Sequence, residues 1–399
     1  MHGGASGDSK RRALVLCPEA PYPAAGGGPI RTASLIEYLA QRYTVDVIVF
    51  REPGAPPPEF PAGLTDEFRI IDLPFHSRSA PARILRNLVR FAAARPPLND
   101  RFAGFAGPVA EFLRGRRYDL ALAEHFWCAP YAEQLAPHAA RLVLDLHNVE
   151  SALYGSYARS EPWPASAVFG RFERSCRRLE SEWLPRFALT LAASERDAAR
   201  ARRIAPASKV AVYPNALRDV AQPQVPEENV VVFSGNLEYR PNVSAVRFFR
   251  REVWPRLREA RPGLVWRIVG KNPQGVADYV RGDARIDLRG PVVDAIGELA
   301  AAGVVIAPLD SGSGTRVKIL EAWAAGRAVV STTLGAEGLD AVDGEHLLIA
   351  DGAEAFGAAV ARLLDSPDER GKLGRAGRRL FQQRFTWKRA WERLAEAGI

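Results

Sequence analysis

Residues 303–339 of this 399-residue chain read GVVIAPLDSGSGTRVKILEAWAAGRAVVSTTLGAEGL. The apolar run 303–307 is typical of a strand that a parallel sheet buries on both faces. A Gly/Ser loop follows, and a helix is predicted to begin near Thr315, which can act as N-cap, and to end at Gly326. Because another apolar run comes next, at 327–331, the segment predicts a strand, a crossover helix and a second parallel strand.

The start of this predicted helix carries two cations. Arg316 and Lys318 lie in its first turns, where backbone N–H groups and the helix macrodipole already favour an anion such as a diphosphate. Glu321 follows one turn later, and its carboxylate can accept two hydrogen bonds from vicinal hydroxyls such as those of ribose. Taken alone, a solvated pair of Lys318 and Glu321 is an equally good interpretation, because such pairs are common.

The same alternation of short apolar runs and helix-length amphipathic stretches extends along the chain. It predicts an α/β fold with doubly wound parallel sheets. The predicted strands are 13–17, 44–50, 67–73, 118–123, 141–146, 187–193, 208–213, 229–234, 264–270, 284–289, 303–307, 327–331 and 346–350. The predicted helices include 30–42, 108–116, 166–184, 243–260 and 353–365.

The length of the chain indicates two domains, since a single core stops growing at about 250–300 residues. A Pro-rich polar stretch interrupts the apolar pattern near the middle, and such stretches mark domain boundaries. We therefore expect a crevice between the carboxyl ends of two sheets, where such sheets bind ligands. The predicted divisions are a disordered tail at 1–12, a first domain at 13–218, a linker at 219–228, a second domain at 229–384 and a terminal helix at 385–399.

Composition narrows the class of partner. The chain has 54 Lys+Arg against 46 Asp+Glu, a formal charge of +8. Because the acids are mixed with the bases and no basic block occurs, nucleic acid is not expected as a partner. The three cysteines are far apart and form neither a CxxC pair nor a Cys/His cluster, which favours a cytoplasmic protein. No run approaches the roughly 18–20 apolar residues of a membrane span.

A glycine-rich loop follows the first predicted strand. Gly27 and Gly28 precede Pro29, and together they leave backbone N–H groups open to an anion where a helix begins. The loop does not match the dinucleotide-binding motif, because no tight turn follows the strand directly. The alternative is a glycine loop that binds no ligand.

These motifs together resemble glycosyltransferase family 4, retaining enzymes of the GT-B fold, and most closely a bacterial subgroup associated with polysaccharide and sugar transfer. The segments that carry the resemblance are 13–50, 144–151, 212–217, 231–249, 266–273 and 311–339. The resemblance implies two Rossmann-like domains, with the acceptor bound by the first and the donor by the second, and a terminal helix that crosses back to the first domain. It implies transfer of a glycosyl group from a nucleoside diphosphate sugar to a hydroxyl acceptor, which could be a lipid-linked glycan, a polysaccharide or a small aglycone.

The resemblance also assigns roles to residues. His147 would lie beside the reacting carbon of the donor sugar, and Lys318 would hold the diphosphate, so these two are the predicted catalytic residues. The predicted donor-binding residues are Gly27, Gly28, Gly235, Asn236, Arg240, Lys271, Arg289, Gly290, Pro291, Ser313, Gly314, Thr315, Arg316, Lys318 and Glu321. The predicted acceptor-side residues are Glu124, His125, Asn148 and Glu150. A structural hydrogen bond is the alternative role for His147, and a simple turn is the alternative for 289–291.

The chain departs from the family pattern at two positions. Ser313 stands where many members have the first glutamate of an E-x7-E motif, whose second glutamate matches Glu321. Asn236 stands where many members have a phosphate-binding arginine. Arg240, Arg316 or Lys318 would then hold the diphosphate, and Lys318 matches the subgroup.

No DxD motif and no cluster with metal-ligand spacing occurs in the sequence, so an enzyme without a metal or another cofactor is expected. The alternatives in function are a GT-B nucleotide-sugar epimerase and a non-catalytic nucleotide-sugar-binding protein.

The segment 78–95 is a basic amphipathic helix that could rest on an anionic bilayer and reach a lipid-linked acceptor, giving peripheral contact with the cytoplasmic membrane face. A packed helix with solvated arginines is the favoured interpretation, because amphipathic helices are ordinary in globular domains.

Overall fold

The computed structural model describes residues 11–77, 79–292, 294–312 and 316–399. The predicted donor-site residues Ser313, Gly314 and Thr315 lie outside the described residues. The first strand begins at Arg11, inside the predicted 1–12 tail. The Arg12 backbone N–H donates to Asp119 (2.8 Å) and the Arg12 guanidinium donates to Asp46 (2.7 Å), which explains the earlier start.

The strands form two parallel sheets. The first contains β1 (Arg11–Cys17), β2 (Tyr43–Arg51), β3 (Phe68–Asp72), β4 (Leu120–Glu124), β5 (Leu142–Leu146), β6 (Leu189–Ala192) and β7 (Val210–Val212). The second contains β8 (Val230–Ser234), β9 (Val265–Val269), β10 (Ile286–Arg289), β11 (Val304–Ala307), β12 (Val329–Ser331) and β13 (Leu348–Ile349).

Helices connect these strands. Those of the first half are α1 (Gly27–Ala40), α2 (Ala80–Ala92), α3 (Pro97–Arg101), α4 (Ala106–Leu113), α5 (Ala132–Leu135), α6 (Glu150–Ser160), α7 (Ala165–Trp183) and α8 (Glu195–Ile204). Those of the second half are α9 (Arg240–Phe248), α10 (Trp254–Ala260), α11 (Ala277–Val280), α12 (Ala295–Ala300), α13 (Val317–Ala324), α14 (Ala353–Asp365), α15 (Pro367–Arg384) and α16 (Trp387–Glu396). The predicted doubly wound α/β fold is confirmed.

The order of strands fixes where a ligand can bind. The sheets run β3-β2-β1-β4-β5-β6-β7 and β10-β9-β8-β11-β12-β13. In register, Val15 of β1 lies between Val47 of β2 and Leu122 of β4. The order reverses between β1 and β4 in one sheet and between β8 and β11 in the other. Open α/β sheets bind ligands at the carboxyl ends of strands beside such a switch point.

The chain divides into two compact units, which we call the first unit, ending at Val212, and the second unit, Tyr213–Ile399. This division falls before the predicted 219–228 linker. The Leu217 N–H donates to the Phe385 carbonyl (2.9 Å) and the Trp387 N–H donates to the Leu217 carbonyl (2.8 Å), which binds the segment after Val212 to the chain's end. The predicted crossing of 385–399 to the first domain stays a prediction.

Each unit has its own apolar core beneath its strands. In the first unit the fully buried side chains include Leu14, Leu16, Phe50, Leu144 and Leu146. In the second they include Phe233, Phe249, Trp254, Trp266 and Ile306. The predicted helix 243–260 is divided into α9, a π-helical turn at Phe249–Val253 and α10. Pro255 explains part of this division, because proline cannot donate the hydrogen bond of a continuous helix.

Helix α2 departs from the favoured prediction of a packed helix with solvated arginines, which is wrong. Its large apolar side chains, such as Leu85 and Leu88, are 65% and 60% exposed. Arg90 is buried instead, and its Nε donates to Asp100 at 2.8 Å. The ion pair holds the basic side of the helix against the protein, so the apolar side faces outward.

Three glycines, which we call the glycine row, follow adjacent strands of the second unit. Gly235, Gly270 and Gly290 have φ values of +149°, +155° and +155°. A Cβ on Gly270 would lie 1.7 Å from the Gly235 carbonyl oxygen, and a Cβ on Gly290 would lie 1.8 Å from the Gly270 carbonyl oxygen. These strand ends can therefore approach this closely only because Gly270 and Gly290 lack side chains, while a Cβ on Gly235 would collide with the Asn242 side chain.

Replacing Gly270 by alanine should destabilise the second unit. We expect Gly270→Ala to lower the free energy of unfolding by about 3 kcal/mol or more, because backbone strain adds to a collision with main chain. Gly282→Ala is the matched control: Gly282 has φ +85° but nothing within 4 Å of a built Cβ. Its cost should stay near about 1 kcal/mol. Equal losses in chemical denaturation would contradict the close packing of the row.

Candidate functional site

Helix α1 begins beside the first switch point, at the end of the glycine-rich loop. Gly26 precedes the helix with φ +88°, and its carbonyl accepts the Ile30 N–H at 3.1 Å. A Cβ on Gly28 would lie 2.3 Å from Glu19 Oε1. A carboxylate therefore borders this helix start, in keeping with its preference for negative charge. Diphosphate binding by Gly27 and Gly28 stays a prediction.

Arg31 of α1 forms a buried ion pair with Asp145 of β5. Arg31 Nε lies 2.7 Å from Asp145 Oδ2, and Arg31 Nη2 lies 2.5 Å from Asp145 Oδ1. The two side chains are 1% and 0% exposed. Two parallel N–H···O bonds are the geometry that offsets the cost of burying both charges. The pair therefore ties α1 to β5.

Glu124 is the last residue of β4, and His147 directly follows the neighbouring strand β5. Their side chains lie in contact beside this ion pair. His147 Nε2 lies 2.5 Å from Glu124 Oε2 and 3.4 Å from Asp145 Oδ2. The Thr32 hydroxyl donates to Glu124 Oε2 at 3.1 Å. Burial raises the pKa of Glu124 to about 7 and lowers the pKa of His147 to about 3. At neutral pH the His147 imidazole is therefore uncharged, and the two groups share a hydrogen-bonded proton.

His125 stacks between two rings at the same place. Its ring centroid lies 3.5 Å from that of His147 and 4.2 Å from that of Trp127. His125 directly follows β4, and its backbone has a φ of +62°. Burial, together with His147 and Arg31, lowers the pKa of His125 well below its usual value. The stack therefore consists of neutral rings, and Trp127 was not singled out from the sequence.

Glu124, Asp145 and His147 also have the donor types of a metal site, since one ligand atom from each lies within 4.8 Å of the others. The Arg31 guanidinium, however, already occupies both oxygens of Asp145. A cation is thus supplied to this cluster by the chain itself, and the residues fit a guanidinium better than a metal ion.

Glu150 belongs to a carboxylate pair at the start of α6. Burial and the nearby Glu180 raise the pKa of Glu150 to about 8. Burial raises the pKa of Glu180 to about 7, and the Ser151 N–H donates to it at 3.0 Å. Asn148, just before the helix, is half-buried. Glu180 was missed from the sequence because it lies far along the chain in α7.

Lys318 is the central cation of the second unit. It lies in the first turn of α13 and is only 8% exposed. Its Nζ donates to Asn242 Oδ1 at 2.8 Å and lies 3.8 Å from the centroid of the Phe233 ring. Burial, with help from Arg316, lowers the pKa of Lys318 well below its usual value. Among the residues described, no carboxylate lies within ion-pair distance of Nζ, although Glu321 lies near enough to raise the pKa of Lys318 in part.

Asn242 joins Lys318 to the strand end at Gly235. Asn242 Nδ2 donates to the Asn236 carbonyl at 2.8 Å, and a Cβ on Gly235 would lie 2.7 Å from that nitrogen. The Asn236 side chain points elsewhere, since its Oδ1 accepts from Asn272 Nδ2 at 3.0 Å. The structure thus brings Lys318 and Gly235 together through Asn242, which the sequence did not single out.

Glu321 and Arg316 lie on either side of Lys318 along the chain. Burial raises the pKa of Glu321 to about 7, while Lys318 opposes the shift. Arg316 occupies the N-cap position of α13 and is buried. Its Nη1 would lie 3.2 Å from a Cβ on Gly312, which has φ +114°. Arg316 therefore packs directly on the loop that enters the helix.

The other predicted donor residues lie at the same strand ends but make different contacts. Arg289 is engaged by two carboxylates, with Nε 2.8 Å from Asp287 Oδ2 and Nη1 3.1 Å from Glu298 Oε2. Gly290 and Pro291 follow directly. Arg240 and Lys271 have exposed side chains, at the start of α9 and after β9.

Two family models match the chain, one in each half. The model described as Glycosyltransferase Family 4 matches residues 25–219. The model described as Glycosyl transferases group 1 matches residues 228–366. No curated protein sequence matches the chain.

Solved structures with the same fold cover nearly the whole chain. Sucrose-phosphate synthase (tll1590) from Thermosynechococcus elongatus has a TM-score of 0.73 at 18% identity, over 97% of this chain and 98% of its own. Anabaena Alr3699/HepE, in complex with UDP and glucose, has a TM-score of 0.65 at 15% identity, over 97% and 99%. WaaG, a glycosyltransferase involved in lipopolysaccharide biosynthesis, has a TM-score of 0.65 at 13% identity, over 96% and 99%.

Removing Arg31 should destabilise the first unit far more than removing an arginine whose carboxylate partner is exposed. We expect Arg31→Ala to lower the free energy of unfolding by about 3–5 kcal/mol, because Asp145 is left buried without its partner. Arg51→Ala is the control, since Arg51 makes two bonds of 2.6 and 2.9 Å to a largely exposed Asp72. That change should cost at most about 1 kcal/mol. Similar costs in urea denaturation would show that burial of the pair is not decisive.

Proposed function

Because the chain is a glycosyltransferase of the GT-B fold and of the family 4 type, we propose that it transfers a sugar from a nucleoside diphosphate sugar to a hydroxyl acceptor with retention of configuration. UDP is the nucleotide we assign first, since the structure of HepE holds UDP and glucose. A lipid-linked glycan, a polysaccharide or a small aglycone each supplies the required hydroxyl, and cytoplasmic action remains part of the proposal.

The observation that carries this proposal is the setting of Lys318. The buried Lys318 side chain faces an amide oxygen and an aromatic ring, and the described residues place no carboxylate within ion-pair distance of its Nζ, although Glu321 lies near enough to act on its pKa. Lys318 lies at the start of α13, beside the switch point of the second sheet, where backbone N–H groups also favour negative charge. A diphosphate supplies the missing anion.

In the proposed reaction, the bond between the anomeric carbon and the β-phosphate oxygen breaks. The acceptor oxygen forms its new bond on the same face, and the acceptor proton passes to the departing phosphate oxygen. Lys318 and Arg316 stabilise the diphosphate as negative charge develops on it, and such fixed charges need no reorganisation during the step. Glu321 accepts hydrogen bonds from the ribose hydroxyls.

His147 contributes from the first unit as a neutral ring. Since its pKa is lowered to about 3, it does not add a positive charge beside a sugar that becomes positive in the transition state. Its hydrogen bond to Glu124 and the stack with His125 fix the orientation of the imidazole. His147 therefore positions the donor sugar, while the acceptor-side roles of Asn148 and Glu150 stay part of the proposal.

The direct experiment combines a panel of nucleotide sugars with and without acceptors. A donor that raises Tm binds the native protein, because ligand binding stabilises that state. Sugar transfer with the α-anomeric configuration of an α-linked donor supports the proposal. Epimerisation of the donor without an acceptor would replace it by an epimerase, and tight binding without transfer or hydrolysis would indicate a binding protein.

Lys318→Ala should lower kcat/KM by about 10²-fold or more, because it removes a charge that acts on the leaving group. Lys372→Ala is the matched control, since Lys372 is exposed on α15. Steady-state kinetics with the best donor measure the effect. Unchanged kinetics in Lys318→Ala would remove the central assignment.

Binding of UDP should take up protons through Lys318. The pKa of Lys318 is well below its usual value in the free protein, and an adjacent diphosphate raises it, so UDP affinity should fall as pH rises above the free-protein pKa. Calorimetry over a series of pH values, with two buffers of different ionisation enthalpy at each pH, measures the uptake. Lys318→Met should abolish it. The same uptake in Lys318→Met would assign the proton to another group.

A further inference from the structure

Helix α2 presents an unpartnered apolar surface to solvent. Ile84, Leu85, Leu88 and Val89 are 58%, 65%, 60% and 59% exposed, and Phe91 is 37% exposed. At 100° per residue these side chains lie within one continuous arc of the helix. A continuous patch of exposed apolar side chains marks an interaction site, whereas single exposed apolar residues scattered over a surface are ordinary.

The orientation of α2 is fixed by polar contacts on its inner side. Arg86 Nη1 donates to the Ser77 carbonyl at 3.3 Å, and Arg90 Nε donates to Asp100 at 2.8 Å. From α7, Arg171 donates to the Phe91 carbonyl at 2.7 Å and to the Ala92 carbonyl at 3.1 Å. These bonds hold the helix to the first unit with its apolar side outward.

The surroundings of this apolar surface are basic. From Leu73 to Asn99 the sequence contains five arginines and no acidic residue. Of these arginines, Arg83 and Arg95 have exposed side chains. Just before the helix, Phe75 is 77% exposed. Apolar and aromatic side chains bordered by arginines are the combination that inserts at the interface of an anionic membrane.

We propose that the outward face of α2 docks the first unit on an anionic lipid bilayer. Within the part of the chain that the structure describes, no helix is both long and apolar enough to cross a membrane. A second copy of this chain fits the surface less well, because a two-fold contact would bring the same basic border against itself. This surface does not depend on the proposed transfer reaction.

Cosedimentation of the full chain with vesicles tests the docking. Vesicles of phosphatidylcholine with about one third phosphatidylglycerol are compared with phosphatidylcholine alone. The wild type should bind the anionic vesicles, and binding should weaken as salt screens the charges. The double variant Leu88→Gln, Val89→Gln should bind about tenfold or more weakly, since it removes apolar contact with the bilayer.

Two further double variants make the result specific. Val225→Gln, Val342→Gln changes residues that are 41% and 52% exposed elsewhere, and should bind vesicles as the wild type does. Arg83→Glu, Arg95→Glu tests the charge independently of any folding problem in the first variant, and should also reduce binding to anionic vesicles. UDP binding should be unchanged in all three.

Four results would overturn the proposal. The wild type could fail to bind anionic vesicles, or it could bind neutral vesicles equally well. The double variant Leu88→Gln, Val89→Gln could bind as strongly as the wild type. Sedimentation velocity could also show a dimer that only this double variant dissociates. The last result would assign the surface to a second copy.

Discussion

The burial of every sheet on both faces is the constraint on which this structure depends. The described strands all pair in parallel, and such strands are covered by helices on either side. A polar group inside a strand therefore needs a partner: Asp46 of β2 accepts from Arg12 (2.7 Å) and from the Tyr118 hydroxyl (2.8 Å). Arg267 of β9 binds Glu228 at 2.6 Å. Glu124 is the last residue of β4, and His147 and Gly235 directly follow β5 and β8, so these candidate residues lie at the carboxyl ends of strands.

The two units handle buried charge in opposite ways. In the first, Arg31 is fully compensated by Asp145, and the neighbouring imidazoles are held neutral. In the second, Lys318 has an amide and the Phe233 ring as its partners in the described structure. A compensated cluster gives a rigid, uncharged surface suited to a sugar. A desolvated cation instead favours binding of an anion. The free-energy cost of removing this cation from water is offset when the protein folds, before any ligand binds.

Much of the fold followed from local patterns, whereas the contacts of the site did not. The apolar runs located the strands, and Glu124 and His147 were both predicted site residues, but their contact was not predicted. The pairing of Arg31 with Asp145 has no local signal, because the two residues lie 114 positions apart. The amphipathic pattern of α2 was clear from the sequence as well. Such a pattern defines an apolar face and a polar face of the helix, but it does not say which of them packs against the protein. That choice was made by tertiary hydrogen bonds, and the sequence expectation was wrong.

The glycine row has a consequence for how this protein can diversify. One wall beside the second switch point is made of main chain, and the carbonyl of each glycine fills the space that a side chain on the next would need. A side chain at Gly270 or Gly290 would collide with this main chain, whatever ligand binds beside it. The nearby side chains with room to change are exposed, such as Asn236, Arg240 and Lys271. Under the proposed function, a change of donor preference would therefore come from substitution of these exposed side chains, with the glycine row unchanged.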